Sequence, residues 1–273
     1  MIESLRIEHP SAHDVPFLSS LWETTFGDPP ELIDAFFECF SPIKFGWIAR
    51  LNGEIVSSAY LLSGNTYQKK DASLPAYYVY AVATPKAYRG HGYAGALMQH
   101  FHSIAAKQDA LLYTRPASDS LFQWYASVMQ TVPSEPLERR NLPAEKGCRF
   151  DGTFRKITAE VYAERREVLL RNTPHIRMSL SFLSLQERYL EAENGGFYEI
   201  GSAVCALEQH EDTIVIKELL TGDEPADLTA KHIAATLGAK RAQLWTRRNG
   251  GAPHVAYYSS FPVKDLCWGL LLD

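Results

Sequence analysis

Apolar positions in the opening of the chain recur at three- and four-residue steps. Leu21, Trp22 and Phe26 precede a break at Gly27 to Pro30, and Leu32, Ile33, Phe36, Phe37 and Phe40 follow it. That spacing predicts two short amphipathic helices. From Phe45 to Leu62 an apolar run is interrupted by Asn52 and Gly53, residues that tolerate left-handed turn positions, so an antiparallel hairpin is expected there. Tyr77 to Ala83 is a further β-rich run. Pro85 has no N–H for a ladder, so the chain must leave the sheet at that point. After a loop, Ala94, Leu97, Met98, Phe101, Ile104 and Ala105 mark one face of a helix over Tyr93 to Lys107. A strand at Ala110 to Thr114 and a short helix at Ser120 to Val128 come next.

Periodicity fails between Thr131 and Arg149, where Pro133, Pro136, Pro143 and Gly147 cluster. The stretch reads as a long connection or an irregular edge strand and puts a domain boundary near residue 148. Beyond it the pattern predicts helices around Glu160 to Leu170 and Leu180 to Ala192. A hairpin from Phe197 to Leu219, turning at Glu211 and Asp212, leads to a helix over Asp227 to Leu237 and a strand over Ala242 to Thr246. One echo joins the halves: ALLYTR at Ala110 to Arg115 returns as AQLWTR at Ala242 to Arg247, each time as a strand after a helix. A duplicated unit explains the match in letters and in order.

Composition narrows the class. With 273 residues, 46% hydrophobic and 22% charged, the chain has apolar material for sizeable cores and is not a disordered sequence. Lys and Arg number 27 and Asp and Glu 32, a formal charge of −5 that disfavours nucleic acid and anionic membranes as partners. Met1 to Val15 mixes charged with isolated apolar residues and shows no signal-peptide core or spanning segment, so a soluble, cytoplasmic chain is expected. Cys39, Cys148, Cys205 and Cys267 form no CxxC pair and the nine histidines no HExxH or HxH spacing, which predicts free thiols and no metal.

Candidate chemistry concentrates in Tyr77 to Leu97, YYVYAVATPKAYRGHGYAGAL. A strand ends, a loop delivers Arg89, Gly90, His91 and Gly92, and a helix begins near Tyr93. Glycines let the main chain approach a bulky anion, and the first N–H groups of a helix have no intrahelical partner. Such geometry binds phosphate, and Arg89 adds a fixed positive charge. Gly90 to Gly95 also spell GxGxxG, so a dinucleotide site with Arg115 near a phosphorylated ribose stays open, as does a plain glycine-rich turn. The first of these fits poorly, because Pro85 to Arg89 separate the strand from the glycines.

VATPKAYRGHGYAGALM resembles motif A of the GNAT acetyltransferase superfamily, whose [Q/R]xxGx[G/A] loop is matched by Arg89, Gly92 and Ala94. LWETTFGDPPELIDAFF, SLFQWY and IVIKELL extend the resemblance over nearly the whole chain, to bacterial tandem-GNAT proteins related to Eis-type acetyltransferases. The sequence has no room for their third, sterol-carrier-like domain, since it stops at Asp273. The resemblance implies an α/β (α+β) fold of two tandem GNAT-like domains, each a mixed, mostly antiparallel sheet flanked by helices. Residues 1–148 would be catalytic and 149–273 a degenerate copy.

It further implies acetyl-CoA as cosubstrate. The main chain of Ala81, Val82 and Ala83 would hold the pantetheine arm and polarise the thioester carbonyl. Arg89, Gly90, His91, Gly92, Tyr93 and Ala94 would hold the diphosphate, and Ser120 and Leu121 would touch the cofactor again. Tyr125 would protonate the departing thiolate, although the glycine and aromatic that usually follow that tyrosine are replaced by Met129 and Gln130. Glu23, Asp28 and Asp273 are the candidate bases among the residues, with an ordered water as the alternative, and a small-molecule or peptide amine is the acceptor. In the second half, TGDEPA with Asp223, Glu224 and Asp227 carries carboxylates where the first carries Arg89 and glycines, which would repel a diphosphate. Arg247, Arg248, Asn249 and Gly250 read as a solvated turn or a cationic loop. Glu164, Arg165, Arg166, Glu187 and Arg188 read as exposed helix faces with weak ion pairs. Homo-oligomerisation stays open, and an acyl-CoA-binding protein without turnover is the other functional class.

Overall fold

The computed structural model describes residues 4–70, 72–145, 154–222, 224–247 and 251–272, excepting the side chains of 246 and 247. Two compact units emerge. One comprises Met1–Ser134, His254–Lys264 and Leu272–Asp273; the other comprises Glu135–Pro253 and Asp265–Leu271.

In chain order the first unit runs β1 (Arg6–Glu8), α1 (Val15–Phe26), α2 (Pro30–Cys39), α3 (Pro42–Phe45), β2 (Gly46–Leu51), β3 (Glu54–Lys69), β4 (Ala72–Ala83), α4 (Tyr93–Lys107), β5 (Leu111–Thr114), α5 (Asp119–Met129) and β6 (Val132–Pro133). The second runs β7 (Pro136–Pro143), β8 (Phe154–Ile157), α6 (Ala159–Leu170), β9 (His175–Arg177), α7 (Leu180–Ala192), β10 (Gly196–Ile200), β11 (Ala203–His210), β12 (Thr213–Leu220), α8 (Ala226–Thr236), β13 (Arg241–Arg247) and β14 (Ala252–Pro253). The chain then returns to the first unit as β15 (Ala256–Tyr258).

The first sheet has the order β1-β2-β3-β4-β5-β15-β6, antiparallel except where β4 meets β5. Asn52 (φ 51°) and Gly53 (φ 90°) make the expected left-handed turn between β2 and β3. Side chains alternate across the sheet, as strand geometry requires. Ala59 and Leu61 of β3 pack in one cluster with Leu97, Met98 and Phe101 of α4, while Tyr60 between them meets Trp22 of α1 and Phe36 of α2. Thus α4 and α5 cover one face and α1 and α2 the other.

The second sheet has the order β8-β10-β11-β12-β13-β7-β14, antiparallel except for β12 with β13. Each sheet therefore contains one β-α-β step with parallel strands, β4-α4-β5 and β12-α8-β13. The register places Leu112 opposite Tyr77 and Leu244 opposite Ile216, so the leucines of ALLYTR and AQLWTR both lie in the parallel ladders.

Several details depart from the sequence expectation. Phe197 to Leu219 is three strands, because Gly201 (φ 56°) and Ser202 turn the chain once before the turn at Glu211 and Asp212. The proline-rich stretch after Thr131 contains β7, which pairs with β13 from Arg241↔Pro143 to Arg247↔Leu137. The division between units falls at Ser134 and Glu135, whereas residue 148, with Cys148, lies outside the described residues. Arg166 is not an exposed helix residue: it is 1% exposed and paired with Glu218. No helix among the described residues is long and apolar enough to cross a membrane.

Candidate active site

β4 breaks its regularity where the chemistry was expected. Its register against β3 passes from Tyr60↔Tyr80 to Ser58↔Ala83, so Ala81 and Val82 stand against a single residue of β3. That is a β-bulge, and Ala81 takes the left-handed φ of 47° that a bulge residue can require. An alanine held there costs about 1–2 kcal/mol relative to ordinary strand geometry. On the other edge the parallel pairing with β5 ends at Tyr78↔Tyr113. One rung further, the Thr114 hydroxyl donates to the Val79 carbonyl at 2.9 Å. The strands part beyond this point, and a cavity of about 760 Å³ opens along Val79 to Val82.

Two left-handed glycines shape the loop after β4. Gly90 (φ 80°) and Gly92 (φ 82°) are both left-handed, and a Cβ at either would meet nothing within 4 Å. Conformation, rather than crowding, is what calls for glycine there. Gly92 caps α4, whose first helical bond runs from the Ala96 N–H to the Gly92 carbonyl at 3.0 Å. The amides of Tyr93, Ala94 and Gly95 thus lack an intrahelical acceptor, and neither a side-chain cap nor an acidic residue neutralises this end of the helix. Arg89 Nε donates to the Thr84 carbonyl at 3.0 Å, which anchors an otherwise exposed guanidinium. His91 Nδ1 lies 2.9 Å from the Arg89 carbonyl oxygen, and its ring stacks on Tyr93 at 5.7 Å.

Of the twelve residues assigned from the sequence to cofactor binding or proton donation, six line the cavity together: Ala81, Val82, Arg89, Ala94, Leu121 and Tyr125. Six do not. Ala83 is buried, its carbonyl accepting from Ser57 Oγ at 3.1 Å. Gly90, His91, Gly92 and Tyr93 belong to the loop and helix start that carry Arg89 and Ala94, and Ser120 is exposed with its hydroxyl 3.0 Å from that of Ser118. Thr84, Thr114 and Trp124 are lining residues that sequence reasoning did not assign to the site. The aromatic following Leu121 by three on a helix was the signal for Trp124; nothing in the sequence marked Thr114, whose part depends on where β5 leaves β4.

Tyr125 sits on α5 at 6% exposure, edge-on to Trp124 at 4.8 Å. Burial pushes its phenol up to about 12, against the opposing effect of a hydrogen bond with Thr114. α5 ends one turn later at Gln130, which adopts the left-handed φ of 54° that glycine accepts without cost. Gln130→Gly should therefore raise stability by about 1 kcal/mol. Urea denaturation of the two proteins measures it, and an unchanged or lower midpoint contradicts the account.

Of the three candidate bases, Glu23 is exposed on α1 and is not a lining residue. Asp28 lines the cavity and accepts from Trp22 Nε1 at 2.7 Å. Asp273 lies outside the described residues. Leu272 just before it lines the cavity, and its carbonyl accepts from the buried Tyr78 hydroxyl at 3.1 Å.

The corresponding place in the second unit is taken by the chain's own charges. Asp227 in the first turn of α8 accepts two bonds from Arg140, at 2.8 and 2.7 Å, and Glu224 accepts from the Ser202 hydroxyl at 2.7 Å. Asp223, Arg248, Asn249 and Gly250, with the side chain of Arg247, lie outside the described residues.

Residues 6–125 match the family model of an acetyltransferase (GNAT) domain. No curated protein matches the sequence. Among solved structures the chain is similar to a conserved protein of unknown function from Enterococcus faecalis V583, a probable N-acyltransferase, at 15% identity and a TM-score of 0.72 over 94% of this chain and 73% of that one. A GCN5-related N-acetyltransferase from Anabaena variabilis ATCC 29413 gives 15% identity and 0.72 over 93% and 72% of the two chains. Eis1 from Mycobacterium abscessus gives 13% and 0.62 over 92% and 66%. At these identities the likeness is one of fold.

Proposed function

We propose, from the match of residues 6–125 to the acetyltransferase (GNAT) domain, that the protein transfers acetyl from acetyl-CoA to a primary amine by direct attack within a ternary complex. The observation that carries this reading is the meeting, in one cavity, of the split between β4 and β5, the uncapped start of α4 with Arg89, and the buried phenol of Tyr125.

The residues fit the cosubstrate. Arg89 and the free amides at the start of α4 would hold its diphosphate, and the bulged main chain of Ala81 and Val82, set off the β5 ladder, would face its pantetheine arm. Acetyl-CoA would supply an acetyl group already activated as a thioester. Tyr125 holds a proton at neutral pH and offers it toward the sulfur side of the cavity, while Asp28 provides a carboxylate for the incoming amine. We assign cofactor binding to the first unit alone, since α8 in the second has Asp227 where α4 presents bare amides.

Titration calorimetry with CoA tests the reading. Wild-type protein should release heat on binding, and Arg89→Gln should weaken the affinity by roughly 10- to 100-fold, the worth of a charge-assisted hydrogen bond to phosphate. Absence of heat with the wild-type protein would overturn the assignment.

A further inference from the structure

Resting on that reading of the cavity, we propose that the acceptor is an amine carrying an aromatic or similarly flat apolar body. Two observations converge on this class. Asp28 lines the cavity, held in place by Trp22 Nε1 on one of its oxygens, and its carboxylate can face an ammonium group.

The wall around Asp28 is aromatic. Trp22 lies 5.9 Å from Phe26 and 5.5 Å from Tyr80, and Tyr80 stacks with Tyr78 at 6.0 Å. Trp22 and Tyr78 are buried, but Phe26 is 45% exposed while lining the cavity. An open phenyl ring at the end of α1, one residue before the left-handed turn at Gly27 that leads to Asp28, offers apolar surface that a ligand ring would cover. Rings of this kind also attract a single ammonium by cation–π interaction, adding to the pull of the carboxylate.

Steady-state kcat/KM with saturating acetyl-CoA, measured on the full chain for 2-phenylethylamine, propylamine, spermidine and kanamycin, tests the proposal. Phenylethylamine should exceed both propylamine and spermidine by roughly tenfold or more, the effect of burying a ring. Phe26→Ala, at an exposed position, should lower the phenylethylamine value by roughly 5- to 10-fold and leave propylamine within about twofold. Spermidine or kanamycin equalling phenylethylamine would overturn the proposal and leave the acetyltransferase reading standing, as would an equal loss for both monoamines in Phe26→Ala. Acetylation of none of the four, with CoA still bound in the calorimeter, would overturn both.

Discussion

Tyr125→Phe should lower kcat for acetyl transfer by roughly 10²- to 10⁴-fold, the usual share of a positioned general acid, while changing the Kd for CoA by less than about threefold. The substitution removes one oxygen from a side chain that otherwise keeps its packing against Trp124. A phenol raised to about 12 stays protonated throughout the neutral range, so the donor is always loaded. It is also a weaker acid than a free phenol. The compensation is that burial acts on both partners: the low-dielectric surroundings that raise the phenol also raise a thiol released beside it, so the gap between the two proton affinities widens less than the phenol's shift alone would make it.

The same shift fixes a pH dependence. In the unfolded chain Tyr125 titrates near about 10, so its contribution to stability is fully present below that pH. As pH rises toward about 12 the unfolded form loses its proton first, and stability falls by about 1.4 kcal/mol per pH unit over that window. Urea midpoints at pH 9, 10 and 11 should drop more steeply for wild type than for Tyr125→Phe. Parallel curves, together with an unchanged kcat, would remove this residue from the chemistry.

Some parts of the fold were legible because they depend on short stretches of chain. Asn52 and Gly53 announce a left-handed turn whatever surrounds them, and the structure has it there. Gly90 and Gly92 mark left-handed loop positions locally, and the echo of ALLYTR in AQLWTR announced a strand after a helix in each half. Other parts depend on which strands meet. The bulge falls on an alanine, a residue with no preference for a left-handed φ, so nothing in AVATP reveals that Ala81 leaves the regular strand. The split between β4 and β5 follows from β5 being only four residues long and paired beside β15, a strand whose sequence is 142 or more positions away and carries no periodicity of its own. Likewise Tyr78 finds the carbonyl of Leu272, 194 residues later in the chain. Asp28 and Glu23 looked alike as candidate bases; the turn at Gly27 brings the first to the cavity and leaves the second in solvent.

Arg166 illustrates the same limit and gives the second large expected effect. On α6 it stands in the run ERRE, which reads as a solvated face, yet Glu218 of β12 takes its Nε at 2.9 Å and its Nη2 at 3.1 Å. Its Nη1 donates to the Ile176 carbonyl at 2.6 Å, and the Tyr162 hydroxyl donates to Glu218 at 2.6 Å. Both charges are buried, so the pair draws its stability from complete hydrogen bonding rather than from attraction alone. The opposing charge of Glu218 and the hydrogen bonds the guanidinium donates to it keep Arg166 protonated despite its burial. Glu218→Ala leaves the buried cation with the more distant Glu167, 3.8 Å away, as its counter-charge, and should destabilise the second unit by about 3–5 kcal/mol. Arg166→Met combined with Glu218→Met removes both charges and should recover at least about 2 kcal/mol of that loss. The recovery stops short of wild type, because the Tyr162 hydroxyl and the Ile176 carbonyl lose partners, at about 1–3 kcal/mol each. Hydrogen exchange of the β12 amides reads the second unit separately from the first, as two units need not unfold in one step. A double variant less protected than Glu218→Ala would mean that the network stabilises by attraction, and would overturn this account of why the fold keeps an arginine in its core.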